Sequence, residues 1–365
     1  MKILIVGEFS GFAKHLKNGF KKLGHEVTIV MQPDSFKKFK GEHDDIVYRS
    51  HWFFLGHPIK GTARLPHPLK AYRINKRLNE IYKDSAPDII VVINYSFLSS
   101  SRTMPGTQIS FIQRCIKRGS KLIMSECGST PADCFNHIEF WKERGRKIVL
   151  EDKRYSFLLE TSNIIIPTIY GYYENLLEYN KYHMFDLDKL NNAIPLPITI
   201  DKDVKVDSCV NRKIVVFHGI IRPIDKGTPF ITEAMNRLQR EYPDKVLCIS
   251  RGGMPYDEYV KLFNKIDILI DQTYGNGWGM NAIIGAMNGK CVLAPCGPEN
   301  GENMNIPDIP FIRIGPNSDK IFEVLKDLVL NPHQIDAIRK KSRRFAEKHC
   351  ECSIIARKYI DLIAS

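Results

Sequence analysis

The sequence predicts an α/β protein built from two doubly wound domains, each a parallel sheet covered by helices. Three observations predict it. Short runs of Val, Ile and Leu alternate with helical patterns in both halves, as strand–helix–strand units require. The chain has 365 residues, enough for two domains of about 150 to 200 residues. A proline-marked segment, Pro195-Leu196-Pro197-Ile198, separates the two series, and the mixed-charge stretch Asp201 to Arg212 follows it. The expected division is a first domain over 1–198, a linker over 199–212 and a second domain from 213.

In the first half, Ile3 to Val6 reads as a buried strand ending at Gly7, since its apolar run is too short for the core of a signal peptide. Glu8-Phe9-Ser10-Gly11 is a turn. A helix with Leu16, Phe20 and Leu23 on one face follows, and Gly24 stops it before the strand Val27 to Val30. The glycines do not form GxGxxG, and no acid ends the second strand, so a dinucleotide cofactor is not expected. Asp88 to Asn94 is a third strand with a serine-rich turn after it. A helix over about 107–118 precedes the strand Lys121 to Met124, which runs into Ser125-Glu126-Cys127-Gly128-Ser129. Asn163 to Pro167 is a further strand. The tyrosines at 170, 172, 173, 179 and 182 lie on an expected helix.

Charge and cysteine usage narrow the class. The formal net charge of +12 fits nucleic acid, an anionic membrane surface or a phosphorylated substrate. Its densest part is 48–77, where Trp52, Phe53, Phe54, Leu55, Leu65 and Leu69 interleave with Arg49, Lys60, Arg64, Lys70, Arg73, Lys76 and Arg77. Such a stretch suits peripheral contact with anionic lipid or a lipid-linked acceptor, or packing on its own domain with solvated charges. No nucleic-acid module accompanies it, so nucleic acid is not an expected partner. Nine cysteines without a CxxC pair argue against a disulfide framework or a zinc site, and a cytoplasmic setting, with contact at the inner face of the membrane, is the expectation. No apolar run reaches the length of a membrane span.

The second half carries the chemistry. Ile214 to Phe217 is a strand ending in His218-Gly219, and Arg222, Lys226 and Gly227 precede a helix from Thr228. Val246 to Ser250 runs into Arg251-Gly252-Gly253. Asp267 to Asp271 is the next strand, followed by Gln272 and the turn Tyr274-Gly275-Asn276-Gly277-Trp278-Gly279, then a helix with Ala286, Met287, Gly289 and Lys290. Two strand-to-helix turns, one cationic and one glycine-rich, suit a phosphorylated ligand at the carboxyl edge of a parallel sheet. Arg222 and Lys226 would place two cations beside such a ligand. The glycines let backbone amides approach the ligand.

In their order, His218-Gly219, Arg222 to Thr228, Asp271-Gln272, Gly277 to Met280, Ala286-Met287 and Gly289-Lys290 resemble the nucleotide-sugar-dependent glycosyltransferases of the two-Rossmann (GT-B) architecture, near the large retaining group. The resemblance implies two Rossmann-like domains facing across a cleft, the second over 213–350, and a helix over 351–365 crossing back to the first. It implies a UDP- or GDP-linked nucleotide sugar as donor and a hydroxyl of a glycan or lipid-linked acceptor, in surface polysaccharide synthesis, with no cofactor and no metal. Donor-binding residues would be Gly219, Arg222, Lys226, Gly253, Asn276, Gly277, Trp278, Gly279, Met280 and Asn281. Acceptor-side residues would be Ser10, Gly11 and Gly128. Glu126, just before the expected acceptor strand end, is the candidate catalytic base beside Arg222 and Lys226.

The chain departs from that family in its donor signature, and it has Cys127 where the family's acceptor-side strand often ends in His. The usual donor signature has two glutamates eight residues apart, but here Asn276 stands first, and Ile284, or Gly285 in the Ala286-Met287 register, stands second. Ribose anchoring then falls to Asn281, Glu299 or Glu302. A sugar-nucleotide epimerase of the same architecture and a non-catalytic nucleotide-binding relative are the alternative readings.

Overall fold

The computed structural model describes residues 1–32, 45–47, 53–54, 57–58, 67–102, 104–204, 206–220, 222–253 and 256–364. Much of the basic and aromatic stretch of 48–77, including Trp52, Leu55, Lys60, Arg64 and Leu65, lies outside these residues. The chain forms two compact units. Unit 1 comprises Met1–Thr168, Tyr172–Asn192 and the segment from Ile355, and unit 2 comprises Ile169–Gly171 and Ala193–Ile354.

Unit 1 runs β1 (Lys2–Val6), α1 (Phe12–Lys22), β2 (Glu26–Met31), β3 (Ile46–Val47), the short pair β4 (Phe53–Phe54) and β5 (His57–Pro58), α2 (His67–Ile81) and β6 (Ile89–Val92). It continues with the pair β7 (Leu98–Ser99) and β8 (Thr107–Gln108), α3 (Ile109–Lys117), β9 (Lys121–Glu126), α4 (Pro131–Asn136), α5 (Ile138–Glu143), α6 (Lys153–Thr161), β10 (Ile164–Pro167) and α7 (Tyr170–His183), whose first two residues count with unit 2. The main sheet has the order β10-β9-β6-β1-β2-β3 and all its pairings are parallel. Strands buried on both faces need continuous apolar runs, and Ile3, Leu4, Ile5 and Val6 are all fully buried. The strand order reverses between β1 and β6.

Unit 2 runs β11 (Ile214–Ile220), α8 (Thr228–Glu241), β12 (Val246–Gly252), α9 (Tyr256–Lys265), β13 (Ile268–Ile270), α10 (Met280–Met287), β14 (Cys291–Ala294), α11 (Pro298–Met304), β15 (Ile312–Arg313), α12 (Ser318–Leu330) and α13 (Pro332–Phe345). Its sheet, in the order β12-β11-β13-β14-β15, is also parallel, and its reversal lies between β11 and β13. On α8, Ile231, Ala234, Met235 and Leu238 recur at helical spacing and are buried in the core of this unit.

At the amino edge of this sheet the fully buried Asp267 carboxylate receives both terminal nitrogens of Arg212 at 2.7 Å, and Arg339 Nη1 lies 3.2 Å away. Arg339 Nε donates to Gly289 O at 2.9 Å, so Gly289 helps fasten α13 to the sheet. The stretch expected as a linker is fastened here too, since Cys209 is buried and its N–H donates to Asp336 at 3.0 Å. The last helix, α14 (Cys352–Ala364), counts with unit 1 from Ile355. Its buried Tyr359 hydroxyl lies 2.6 Å from Ser125 Oγ on β9, and its ring meets Phe20 edge-on at 6.5 Å. Among the described residues no helix is long and apolar enough to cross a membrane.

Candidate functional site

Ligands of open parallel sheets bind beyond the carboxyl ends of the strands, where the strand order reverses. In unit 2 this point lies between the loop after β11, carrying Arg222 to Gly227, and the loop after β13, carrying Asp271 to Gly279. Asp271 joins the two loops. Its carboxylate is fully buried; Oδ1 accepts from Lys226 Nζ at 2.7 Å and from Asn281 Nδ2 at 3.4 Å, and Oδ2 accepts from the Gly279 N–H at 3.2 Å. Burial opposes its charge, but the Lys226 ammonium, the Gly279 N–H and the Asn281 amide together hold the carboxyl below its ordinary value. The Thr273 N–H donates back to Lys226 O at 3.0 Å. Gly227 adopts φ +68°, and a Cβ there would stand 1.9 Å from Thr273 Oγ1, so only glycine allows the two loops to close.

The two expected cations therefore differ. Lys226 is buried and spends two contacts on Asp271, on Oδ1 and on the main-chain oxygen at 3.1 Å, so one of its three N–H donors remains. Arg222 is exposed, and its side chain has no hydrogen bond or ion pair among the described residues. Its φ of +57° is unusual for a residue with a Cβ, a conformation that persists only where the surroundings impose it. His218 is satisfied within the core of unit 2. It is fully buried, with Nδ1 3.0 Å from Ile270 O and Nε2 2.8 Å from Thr228 Oγ1, and burial pushes its imidazole down to about 4.

The glycine-rich loop is held from behind. Trp278, expected among the donor-binding residues, has a buried indole: it is 2% exposed and packs edge-on against Phe311 at 5.1 Å and Phe345 at 6.1 Å. Met280 is buried as the first residue of α10. The Gly277 N–H donates to Pro295 O at 2.8 Å. Asn276 Nδ2 donates to Glu299 Oε1 at 2.7 Å, a partner 23 residues further along the chain. Gly219 lies inside β11, and Gly253 is exposed at the end of β12. Gly285 packs onto the sheet, where a Cβ would meet Leu269 Cδ2 at 2.6 Å and Val292 Cγ2 at 3.1 Å. A cavity of about 800 Å³ opens beside the loop, lined in part by Thr273, Gly275, Pro295, Arg313, Asn317 and Lys320.

In unit 1, Ser10 and Gly11 stand at the reversal between β1 and β6, both in the left-handed region. The amino end of α1 is already occupied by the buried carboxylate of Glu8, which accepts from the Gly11 N–H at 2.7 Å and the Lys14 N–H at 3.3 Å. Glu126 closes β9 with 2% exposure. Oε1 accepts from Thr130 Oγ1 at 2.8 Å and the Gly128 N–H at 3.2 Å, and Oε2 accepts from the Tyr155 hydroxyl at 3.0 Å. Burial raises its carboxyl to about 7, against the pull of those three donors. Gly128 lies under the Tyr172 hydroxyl. Sequence reasoning singled out neither Glu8, Tyr155 nor Asn300, because their roles rest on partners from 3 to 130 residues away.

No protein-family model and no curated protein matches this sequence. Solved structures do match it. The chain is similar to HepE of Anabaena crystallised with UDP, with a TM-score of 0.61, 12% identity and 100% of each chain covered. It is similar to sucrose-phosphate synthase from Thermosynechococcus elongatus, with a TM-score of 0.62, 12% identity and coverage of 100% of this chain and 98% of that one. It is also similar to WaaG, a glycosyltransferase involved in lipopolysaccharide biosynthesis, with a TM-score of 0.58, 12% identity and 100% of each chain covered. At these identities the likeness is one of fold, and the chain has the two-Rossmann-domain GT-B fold.

Proposed function

We propose that the protein is a glycosyltransferase that moves a sugar from a UDP- or GDP-linked donor to a hydroxyl of a glycan or lipid-linked acceptor, in surface polysaccharide synthesis. The observation that carries this reading is the pair of loops at the reversal in unit 2. There Asp271 locks Lys226 and the Gly279 amide in place while the Arg222 guanidinium stays uncommitted. A diphosphate gains negative charge as the glycosidic bond to it breaks. Arg222 offers a planar fork for it, the remaining Lys226 donor a point charge, and the start of α8 a partial positive charge. Lys226 and the start of α8 are fixed before the reaction, so they reorganise little as the charge moves. The solved structure of HepE with UDP-glucose supports this choice of donor class for the shared fold.

The acceptor is proposed on unit 1, at Ser10, Gly11 and Gly128, with Glu126 as the group that takes the acceptor proton. A carboxyl that exchanges its proton near pH 7 suits that work. Peripheral membrane contact is proposed through the described end of the basic stretch. On α2, Leu69 is 52% and Tyr72 62% exposed, on a helix that also carries Arg73, Lys76 and Arg77. The setting proposed is the cytoplasmic face of the membrane.

The test is a nucleotide-sugar panel read by thermal shift, followed by transfer assays of Arg222→Ala. One donor should raise the melting temperature. The variant should stay folded and lose about 100- to 1,000-fold in turnover. Donor turnover without acceptor would identify an epimerase instead, and nucleotide binding without turnover a binding protein. Unchanged transfer by Arg222→Ala would remove the assignment.

A further inference from the structure

After β14 the chain turns through Cys296-Gly297-Pro298 into the first turn of α11, which carries Glu299. The Glu299 carboxylate folds back over the turn. A Cβ at Gly297 would stand 2.2 Å from Oε1 and 2.3 Å from Oε2, so the carboxylate rests on backbone that only glycine leaves uncovered. Its Oε1 accepts from Asn276 Nδ2 at 2.7 Å. The orientation of Asn276 is fixed in turn, because its Oδ1 accepts from Asn300 Nδ2 at 2.9 Å and its main-chain oxygen accepts from the Gly171 N–H at 3.0 Å. Asn300 is fully buried and is oriented by the Tyr170 N–H, which donates to its Oδ1 at 3.3 Å. This relay of amides presents the NH2 end of Asn276 to Glu299.

Glu299 itself is half-buried. Among the described residues it has no cation within ion-pair distance, and its Oε2 has no partner. An ionised carboxylate fixed at one oxygen and open at the other accepts hydrogen bonds and repels phosphate. It therefore selects hydroxyl groups, and one carboxylate oxygen accommodates a neighbouring pair of them. Other acids near the glycine loop do not offer this. Asp271 is consumed by Lys226, Gly279 and Asn281, and Glu302 is exposed on α11 with no orienting amide among the described residues.

We infer that Glu299, oriented by Asn276 and Asn300, is the group that binds hydroxyls of the nucleotide-sugar donor, supplied from the turn after β14 rather than from the glycine-rich loop or α10. This rests on the proposed donor site. The hydroxyls belong either to the ribose or to the transferred sugar, and the chemistry at Glu299 is the same for both.

The experiment is calorimetric titration of the full chain and of its Glu299→Gln and Glu299→Ala variants, each first shown by circular dichroism to be folded. The ligands are the nucleotide sugar selected by the panel, its nucleoside diphosphate and the 2′,3′-dideoxy form of that diphosphate. Glu299→Ala should weaken nucleotide-sugar binding on the order of 10- to 100-fold, the loss expected for hydrogen bonds to a charged group, and Glu299→Gln should weaken it less. An unchanged diphosphate affinity places the hydroxyls on the transferred sugar. A diphosphate loss that vanishes with the 2′,3′-dideoxy ligand places them on the ribose. A merely structural Glu299 would weaken all three ligands alike, and that result overturns the inference, as does wild-type affinity in Glu299→Ala for every ligand. A wild-type chain that binds none of them overturns the donor site itself, and this inference with it.

Discussion

Glu126→Gln gives the sharpest test of how unit 1 is built. The side chain keeps its size, and its amide can still accept from the Gly128 N–H and Thr130 while donating to the Tyr155 oxygen, so the packing at the end of β9 should survive. What changes is titration. Burial raises the native carboxyl from 4.5 to about 7, so the folded state holds the proton more tightly than the unfolded chain does. The resulting stability is fully present below pH 4.5 and is lost as the pH rises through 7. A difference of 2.5 units corresponds to about 3 kcal/mol. Urea unfolding of wild type and variant, followed by circular dichroism from pH 4.5 to 8, should show the variant gaining about 3 kcal/mol on the wild type across that interval. Titrating groups remote from Glu126 are common to both proteins and drop out of the difference. Curves that stay parallel over the whole range would show that Glu126 is charged and solvated in the folded protein, and the account of the loop at 126–130 would fall with it.

Two further outcomes concern unit 2. Asp271→Asn should destabilise the protein by about 3 to 5 kcal/mol, because the Lys226 ammonium loses its counter-charge in a buried place, and Lys226→Met in the same chain should restore most of the loss. Chemical denaturation checks both, and an additive double variant would argue against the pair. Trp278→Ala should cost about 3 to 5 kcal/mol through the space left between Phe311 and Phe345. A thermal melt within a degree of wild type would place the indole outside the core.

The strands were legible because parallel strands buried on both faces must be continuous apolar runs, and Ile3 to Val6, Ile89 to Val92 and Ile214 to Phe217 are such runs. The loops at the carboxyl edge were legible as well, since glycine and basic residues after a strand narrow the options to a few. Side-chain commitments were hidden. Lys226 reads as a free cation until Asp271 is placed beside it, 45 residues later. The sequence does not say where the Trp278 indole goes until Phe345, 67 positions on, is packed against it. Asn276 looks like a lost carboxylate until Glu299 is folded against it. In each case an amphipathic or polar residue had two environments open to it, and sequence spacing cannot choose between them. The helix α2 was missed inside a stretch read only for its charge, although Ala71, Ile74 and Leu78 already mark a buried face.

The glycine at 285 has a consequence for anyone redesigning this protein. Because α10 lies flush on Leu269 and Val292 there, an acidic side chain cannot be grafted back at that rung without prising the helix off its sheet. Introducing a glutamate there by point mutation would unseat the scaffold before it improved the chemistry. Engineering of sugar preference should instead start from the first turn of α11, where Pro298 is exposed and Glu299 is half-buried.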